Sequence, residues 1–259
     1  MNGNCMTVDV MPGCDPMSHI AGSGVGVMAL HGFTGTPASL RQIADAMVDA
    51  EFDVELPRLP GHGTTIDDML TTGWDDWVGE VERAYERLAE RADRVALVGQ
   101  SMGATLILNA ALRHRSVVGL VCINPLTRLR DAATMEMLDE FIDDGLKIVP
   151  GGDGSDIADP NAVDISYSGT PLVPLRSLMH DGVATITDRF GELTMPLRVL
   201  TSRQDHVVDP ADSEHLVATW GGVVEHTWLE RSYHVATRDY ERDYVTSEAV
   251  AFVKKVSQS

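Results

Sequence analysis

The sequence predicts an α/β fold with a mostly parallel central sheet covered by helices on both faces. Apolar strand-like runs alternate with helical patterns on both sides of an irregular region at residues 125–193. The chain has 259 residues, 44% of them hydrophobic and 23% charged, which is ordinary for one sizeable globular domain. No linker-like stretch divides the chain. We therefore expect a single structural domain whose core comprises residues 1–124 and 194–259.

The first predicted elements are a strand, a loop and a helix. Residues 25–30 form an apolar run, and the loop at 31–35 leads to Thr36, a typical N-cap residue before Pro37 at the first helical position. From Leu40 onward, apolar residues recur at the spacing of one face of a helix, which predicts an amphipathic helix.

The following elements repeat this order. A strand is predicted at 52–56, and the helix after it runs to about residue 92. Further strands are predicted at 95–98 and 117–123. Large apolar side chains share one face of the helix, which favours core packing over a binding surface; they are Trp77, Val81, Tyr85 and Leu88.

Residues 99–103 read Gly-Gln-Ser-Met-Gly and carry the most informative motif. They follow the strand at 95–98 and precede a helical pattern at 102–113, so Gly-x-Ser-x-Gly has the strand–turn–helix context of a nucleophile elbow. A Cβ at either glycine position would collide with neighbouring backbone, so two small residues let the turn close and expose the hydroxyl. We predict that Ser101 is a catalytic nucleophile.

Residues 125–193 interrupt the alternation. They are rich in Met, Asp, Gly and Pro, with short helical patterns and no clear strand. The regular pattern resumes with a strand at 197–200 and ends with a strand near 223–229 and a helix from 239 to about 255. Such an insertion predicts a cap over the elbow, because a solvated loop would not need its Met and Leu residues.

His234 is the predicted general base. A serine hydroxyl is a weak nucleophile until a base takes its proton, and on folds with this elbow the acid and then the histidine follow the serine. His234 lies between the last strand and the last helix, so its loop reaches the sheet edge beside the elbow. His206 and His215 come too early for that loop, and His226 falls within a strand pattern.

Asp205 is predicted to be the third catalytic residue beside Ser101 and His234, and its role is to orient the histidine. It comes just after the strand at 197–200, where the carboxyl end of the strand meets the elbow edge of the sheet. Asp209 and Asp212 are the alternatives. Both lie closer to the start of the next helix, where an aspartate most often serves as an N-cap or a dipole partner.

Two backbone N–H groups are needed to bind the oxygen on which charge develops during attack. One is predicted at Met102, directly after the nucleophile. The other is predicted at Phe33 in the His-Gly-Phe-Thr-Gly loop at 31–35, whose glycines let the backbone approach the substrate.

Bulk properties restrict the partners. The formal net charge of −19 makes nucleic acid and anionic bilayers poor partners. No run of 18 apolar residues predicts a membrane span, no metal-ligand spacing occurs, and the first twenty residues lack the pattern of a secretory signal. Cys122 lies in a strand pattern and is expected in the core, while a disulfide between Cys5 and Cys14 is not expected. These features predict a cytoplasmic protein of undetermined oligomeric state.

With these motifs in place, the chain resembles the bacterial monoacylglycerol lipases and related carboxylesterases of the α/β-hydrolase superfamily. The matching stretches extend from residue 30 to residue 240. The most specific are Gly-Phe-Thr-Gly at 32–35 and Ser-Tyr-His-Val-Ala-Thr at 232–237. The others are His31, Thr36-Pro37, Pro57-Arg58-Leu59, Gly61-His62-Gly63-Thr64, Asp76-Trp77-Val78, Ser101-Met102-Gly103, Asp205-His206-Val207-Val208 and Asp239-Tyr240.

The resemblance implies an α/β-hydrolase fold and a triad of Ser101, Asp205 and His234, with the amides of Phe33 and Met102 as the oxyanion hole. It also implies that the cap forms an acyl-chain tunnel and that no cofactor is needed. Within the cap the match is weaker. Gly154-Ser155-Asp156 and Asp159-Pro160 still resemble the family, but Asp153 stands where an apolar residue facing the pocket is expected.

The leading hypothesis is a serine hydrolase of monoacylglycerols or similar small amphiphilic esters, which acts through an acyl-enzyme. A short-chain carboxylesterase without glycerol preference is the nearest alternative. An acyltransferase that uses the same acyl-enzyme is a second one. A non-catalytic ligand-binding protein on this fold is the third, because a fold alone does not establish a function.

Overall fold

The computed structural model describes residues 8–151 and 155–258, and its main feature is a seven-stranded sheet. The strands of the whole described chain are Met17–His19 (β1), Val25–Leu30 (β2), Asp53–Leu56 (β3), Arg94–Gln100 (β4), Val117–Ile123 (β5), Ile148–Pro150 (β6), Gly169–Pro171 (β7), Leu197–Ser202 (β8) and Val224–Leu229 (β9). Of these, β6 and β7 form a separate two-stranded sheet. The main sheet has the order β1-β3-β2-β4-β5-β8-β9. Every neighbouring pair is parallel except β1 with β3. The predicted α/β class is confirmed.

Helices connect the parallel strands. They are Arg41–Asp49 (α1), Ile66–Met69 (α2), Trp74–Ala89 (α3), Met102–Ala111 (α4), Ala132–Asp143 (α5), Leu172–Ser177 (α6), Ala184–Ile186 (α7), Ala211–Thr219 (α8) and Arg242–Val256 (α9). A π-helical stretch at Leu178–Val183 joins α6 to α7, and short 3₁₀ turns occur at Pro37–Leu40 and Phe190–Glu192.

Each face of the main sheet has its own apolar core. Residues of α1 and α9 pack on one face, and residues of α3 and α4 pack on the other. The apolar face predicted on α3 is buried, with Trp77 at 0% and Tyr85 at 5% exposure. Burial of a large apolar side chain stabilises a fold by about 1.5–3 kcal/mol, so these faces hold the helices against the sheet. Cys122 is also buried, as expected, and burial raises the pKa of its thiol.

The carboxyl ends of five adjacent parallel strands, β2, β4, β5, β8 and β9, meet at one edge of the sheet. Ligands of open α/β sheets bind in the crevice outside this edge. Ser101 follows β4, Asp205 follows β8 and His234 follows β9, so the topology brings the three loops to the same side.

Residues 125–193 lie between β5 and β8 and are called the insertion below. The expectation that this region has no clear strand is wrong, because β6 and β7 pair as a small antiparallel sheet. Each of these strands has three residues, too few to show an alternating pattern. Asp153 lies outside the described residues.

The N-terminal region also differs from expectation. No strand is predicted before residue 25, whereas β1 pairs with β3 over three residues. Cys14 is a buried free thiol, and Cys5 lies outside the described residues. Thr36 precedes Pro37 as predicted, but its side chain makes no capping bond. The first turn is 3₁₀, and the Ser39 amide donates to the Thr36 backbone carbonyl at 3.1 Å. Across the described ranges, no helix is long and apolar enough to cross a membrane.

Candidate active site

Ser101 lies on the tight turn between β4 and α4, with a positive φ of 54° and ψ of −122°. This conformation is costly for a residue with a side chain and persists only where the surroundings impose it. A Cβ on Gly99 would lie 2.5 Å from the Gly103 backbone, and a Cβ on Gly103 would lie 2.2 Å from the carbonyl oxygen of Leu30. Close backbone packing therefore requires both glycines of the motif.

His234 and Asp205 form a hydrogen-bonded pair. Nδ1 of His234 donates to Oδ2 of Asp205 over 2.8 Å, since an ionised carboxylate can only accept. The other carboxylate oxygen accepts from the backbone amides of Val207 and Val208, both at 2.9 Å. The two side chains are only 9% and 2% exposed. Because Nδ1 of the histidine is engaged by the carboxylate, Nε2 is the nitrogen that remains for a role as a base.

Asn124 supports the His234 loop and was missed by sequence reasoning. Its Nδ2 donates to the carbonyl oxygen of His234 at 2.7 Å and to Oγ of Ser202 at 3.0 Å. Its Oδ1 accepts from the Ser202 amide at 2.7 Å. The residue is 1% exposed and has φ of 45°, a conformation that asparagine tolerates. Its position directly after β5, at the same edge as Asp205, was the available signal.

The loop after β2 lies against the serine. A Cβ on Gly32 would lie 3.2 Å from Cβ of Ser101, a tight contact, so this close approach of the loop to the serine favours glycine. Phe33 lines the same cavity as Ser101. Met102 is the first residue of α4, where a backbone N–H has no acceptor within the helix. The Thr34 carbonyl accepts from the amide of Tyr167 in the insertion at 3.2 Å.

His31, the first residue of this loop, and the neighbouring His62 are both buried. His31 is hydrogen-bonded through Nδ1 to the Gly32 carbonyl at 3.1 Å and through Nε2 to the Leu59 amide at 3.2 Å. Its ring centre lies 5.0 Å from that of His62. Burial lowers the pKa of His31 well below 6.5 and lowers the pKa of His62 to about 4. Both rings are therefore neutral at pH 7 and act as fixed hydrogen-bonding groups.

A cavity of about 690 Å³ opens at this edge of the sheet and is lined by Ser101, His234 and Phe33. Its volume is in the range of about 300–1,000 Å³ that is typical of small-molecule sites. The insertion supplies much of its apolar wall: Met135, Leu138, Phe141, Leu172, Leu175 and Met179. The cavity is therefore suited to a largely apolar ligand.

One part of the cavity wall is polar, and we call it the Asp164 cluster: Asp164, Ser39, Ser155 and Ser166. The hydroxyls of Ser39 and Ser155 donate to the two carboxylate oxygens of Asp164 at 2.8 and 3.3 Å. Burial raises the pKa of Asp164 above its ordinary value. This cluster presents hydroxyl and carboxyl groups to the cavity, which are suited to binding hydroxyl groups of a ligand.

The alternative acids have other partners. Asp209 accepts from the Ala211 amide at 2.9 Å, the helix-start role expected from sequence. Asp212 is buried and accepts from the amides of Thr127 and Arg128 at 2.8 and 2.9 Å, so it anchors the start of the insertion. Burial raises the pKa of Asp212.

The alternative histidines have partners outside the pair of His234 and Asp205. His206 is hydrogen-bonded to Asp156 at 2.8 Å. Nε2 of His226 lies 2.9 Å from the hydroxyl of Thr201. Nε2 of His215 lies 3.2 Å from the carbonyl oxygen of Thr187.

The mostly parallel sheet, with a serine on the turn after a central strand, defines a serine hydrolase of the α/β-hydrolase class. The Hydrolase_4 family model, described as serine aminopeptidase, S33, matches residues 25–241, and the chain belongs to this family.

Relatives of this chain include lipolytic enzymes. It is 33% identical over 251 residues to a thermostable monoacylglycerol lipase of Bacillus sp. (strain H-257), covering 95% of this chain and 96% of the relative. It is 25% identical over 234 residues to a carboxylesterase of Bacillus subtilis (strain 168), covering 89% and 92%. A solved structure from work on the metagenome-derived lipolytic enzymes LipS and LipT aligns with a TM-score of 0.88 at 33% identity, over 95% of this chain and all of that one. The resemblance predicted from the motifs is confirmed.

Proposed function

We propose that the protein is a carboxylic ester hydrolase that cleaves monoacylglycerols to a fatty acid and glycerol. The observation that carries the proposal is the cavity, which combines Ser101 and His234 with an apolar wall and the polar Asp164 cluster. A monoacylglycerol has the same division, with one acyl chain and two free hydroxyl groups. The similarity to a monoacylglycerol lipase and a carboxylesterase supports the same substrate class.

The proposed reaction begins when Nε2 of His234 takes the proton of the Ser101 hydroxyl, whose oxygen attacks the ester carbonyl carbon. Asp205 holds the imidazole through Nδ1 and stabilises the imidazolium that forms. The backbone amides of Phe33 and Met102 bind the developing oxyanion.

Collapse of the tetrahedral intermediate then releases the alcohol, which takes the proton from His234. This leaves an acyl-enzyme on Ser101. A water molecule, deprotonated by the same imidazole, then attacks the acyl carbon. Collapse of this second tetrahedral intermediate breaks the bond to the Ser101 oxygen, which takes the proton back from His234 as the fatty acid leaves.

The insertion acts in this proposal as a cap that encloses the acyl chain. Its apolar side chains form the wall of the cavity, and one cavity of this size suits one acyl chain better than three. Triacylglycerols are therefore expected to be poorer substrates than monoacylglycerols.

The proposal includes a cytoplasmic location and no nucleic-acid partner. The formal charge of −19 disfavours nucleic acid as a partner. The two described cysteines, Cys14 and Cys122, are free thiols, which agrees with a reducing, cytoplasmic compartment.

The proposal is tested by hydrolysis rates for a series of 1-monoacylglycerols and the matching methyl esters, with the wild type and Ser101→Ala. A medium- or long-chain optimum with preference for glycerol esters, lost in the variant, is expected. An optimum at acetyl or butyryl without glycerol preference would favour a short-chain carboxylesterase. Faster transfer to an added alcohol than hydrolysis would favour an acyltransferase. Ligand binding without turnover in both the wild type and Ser101→Ala would favour a binding function.

A further inference from the structure

A carboxylate of the insertion joins the two loops that carry the His234 and Asp205 pair. Oδ2 of Asp156 accepts from the backbone amide of His234 at 3.0 Å and from the backbone amide of His206 at 3.1 Å. Its other oxygen accepts from Nδ1 of His206 at 2.8 Å. Because His206 directly follows Asp205, one oxygen atom bridges the base and the neighbour of the acid.

We propose that Asp156 is a positioning residue for catalysis, which sets the separation of His234 from Asp205. This inference rests on the proposed roles of that pair in ester hydrolysis. Hydrogen bonds to an ionised acceptor are about twice as strong as neutral ones, so the bridge is stiff. The Asp156 side chain is 16% exposed, which limits competition from water.

A carboxylate of the core also binds the same segment of the insertion. Asp239 is fully buried, and its carboxylate accepts from the amides of Ala158 and Asp159 at 2.7 and 3.0 Å. The same carboxylate accepts from the amide of Tyr233, next to His234, at 2.8 Å. Asp156 thus binds amides of the core, and Asp239 binds amides of the insertion.

This exchange fixes the segment around Asp156 against the His234 loop from both sides. The backbone of Val235 also donates to the carbonyl oxygen of Asp156 at 3.0 Å. The insertion is therefore more than a cover for the acyl chain, since its residue 156 is part of the frame that holds the base. Loss of a frame contact displaces a reacting group, and displacements of about 1 Å can reduce turnover by about 100-fold.

The test compares Asp156→Ala, Asp156→Asn and Asp159→Ala. Asparagine keeps an oxygen for the two amides, whereas alanine keeps none. Asp159 is the matched control, because it lies in the same segment and alanine keeps the backbone amide that Asp239 binds. Its side chain accepts from the Asn161 amide at 3.0 Å and from Arg242 at 3.5 Å, not from the Asp205 or His234 loop. Turnover of a p-nitrophenyl ester gives kcat and KM, and thermal unfolding gives the folded fraction of each variant.

The proposal predicts that Asp156→Ala lowers kcat by roughly tenfold or more with KM nearly unchanged, that Asp156→Asn recovers most of the loss, and that Asp159→Ala resembles the wild type. It is overturned if Asp156→Ala keeps kcat within about twofold, if the loss lies in KM, or if Asp156→Asn recovers nothing.

A second measurement separates this inference from the proposed function. The low-field NMR signal of the proton between His234 and Asp205 reports their geometry whether or not the protein hydrolyses esters. We expect this signal to move or broaden in Asp156→Ala and to be unchanged in Asp159→Ala. An inactive wild type would overturn the proposed function alone, and an unchanged signal in folded Asp156→Ala would overturn the role of Asp156.

Discussion

The side-chain amide of Asn124 donates a 2.7 Å hydrogen bond to the backbone carbonyl of His234, across 110 positions of sequence. The same side chain exchanges hydrogen bonds with Ser202 at the end of β8. One buried amide therefore connects the ends of β5 and β8 to the loop after β9. The position of the candidate base depends on this connection.

Replacement of Asn124 by alanine is expected to lower both stability and turnover. The change removes the side chain that bonds the Ser202 amide and the His234 carbonyl, at a cost of about 1–3 kcal/mol in the free energy of unfolding. Displacement of His234 should also reduce kcat by roughly tenfold or more with little change in KM. Urea denaturation and steady-state kinetics measure the two effects.

Asn109→Ala is the control for this prediction. Asn109 is also buried but lies on α4, away from the His234 loop. It should keep the wild-type kcat. Equal kcat losses in both variants would show that the effect of Asn124 is not specific to the histidine loop.

Gly103→Ala is expected to destabilise the fold, because its Cβ would lie 2.2 Å from the Leu30 carbonyl oxygen. Overpacking of this kind costs about 1–3 kcal/mol or more, since backbone has to move. Gly79→Ala on α3 is the matched control, because its Cβ would meet only a flexible Arg83 nitrogen at 3.5 Å. That control should gain up to about 1 kcal/mol from helix propensity. Thermal unfolding measures the change in stability of both variants. A Gly103→Ala variant as stable as the wild type would contradict the packing argument.

Stability is expected to fall as the pH drops from about 6.5 to about 4, because burial lowers the pKa of His62 from 6.5 to about 4. In this window the unfolded chain binds a proton at His62 and the folded protein does not, so acid favours unfolding. At 1.36 kcal/mol per pKa unit, His62 alone accounts for about 3 kcal/mol across the window. Urea midpoints at several pH values measure the slope.

His62→Gln should flatten this pH dependence, whereas the same substitution at the exposed His180 should leave it unchanged. The buried His31 contributes in the same direction, since its pKa is also lowered. A slope in His62→Gln equal to that of the wild type would show that His62 is not the group responsible.

The Asp164 cluster is expected to determine preference for the alcohol part of the ester. Asp164→Ala removes the carboxylate that Ser39 and Ser155 share, so binding of glycerol hydroxyls should weaken. The ratio of kcat/KM for a monoacylglycerol to that for the methyl ester of the same acid should fall roughly three- to tenfold. The methyl ester is the internal control. A loss of equal size for both esters would indicate a general structural effect instead.

Much of the fold could be predicted from the sequence because its signals are local. Alternating apolar runs indicated the parallel sheet, and the spacing of apolar residues indicated the buried face of α3, including Trp77 and Tyr85. Short elements gave no such signal. The three-residue strands β1, β6 and β7 were missed, because a strand of that length has no measurable period.

The candidate site likewise contains residues that the sequence predicts and residues that it does not. The sequence by itself determined the serine turn, because the two glycines of Gly-x-Ser-x-Gly are required by backbone contacts within one short segment and its neighbouring strand. It also selected Asp205 and His234 from chain order, and the structure joins them by a 2.8 Å hydrogen bond.

Only the tertiary structure decided what holds that pair in place. Asn124 and Asp156 bond to the His234 loop from 110 and 78 positions away in the sequence. A side chain that accepts or donates across such separations leaves no periodic pattern, since its partners are backbone groups that every residue has. The residue types of the site are thus a local property of the sequence, whereas the frame that aligns them arises when distant loops meet at one edge of the sheet.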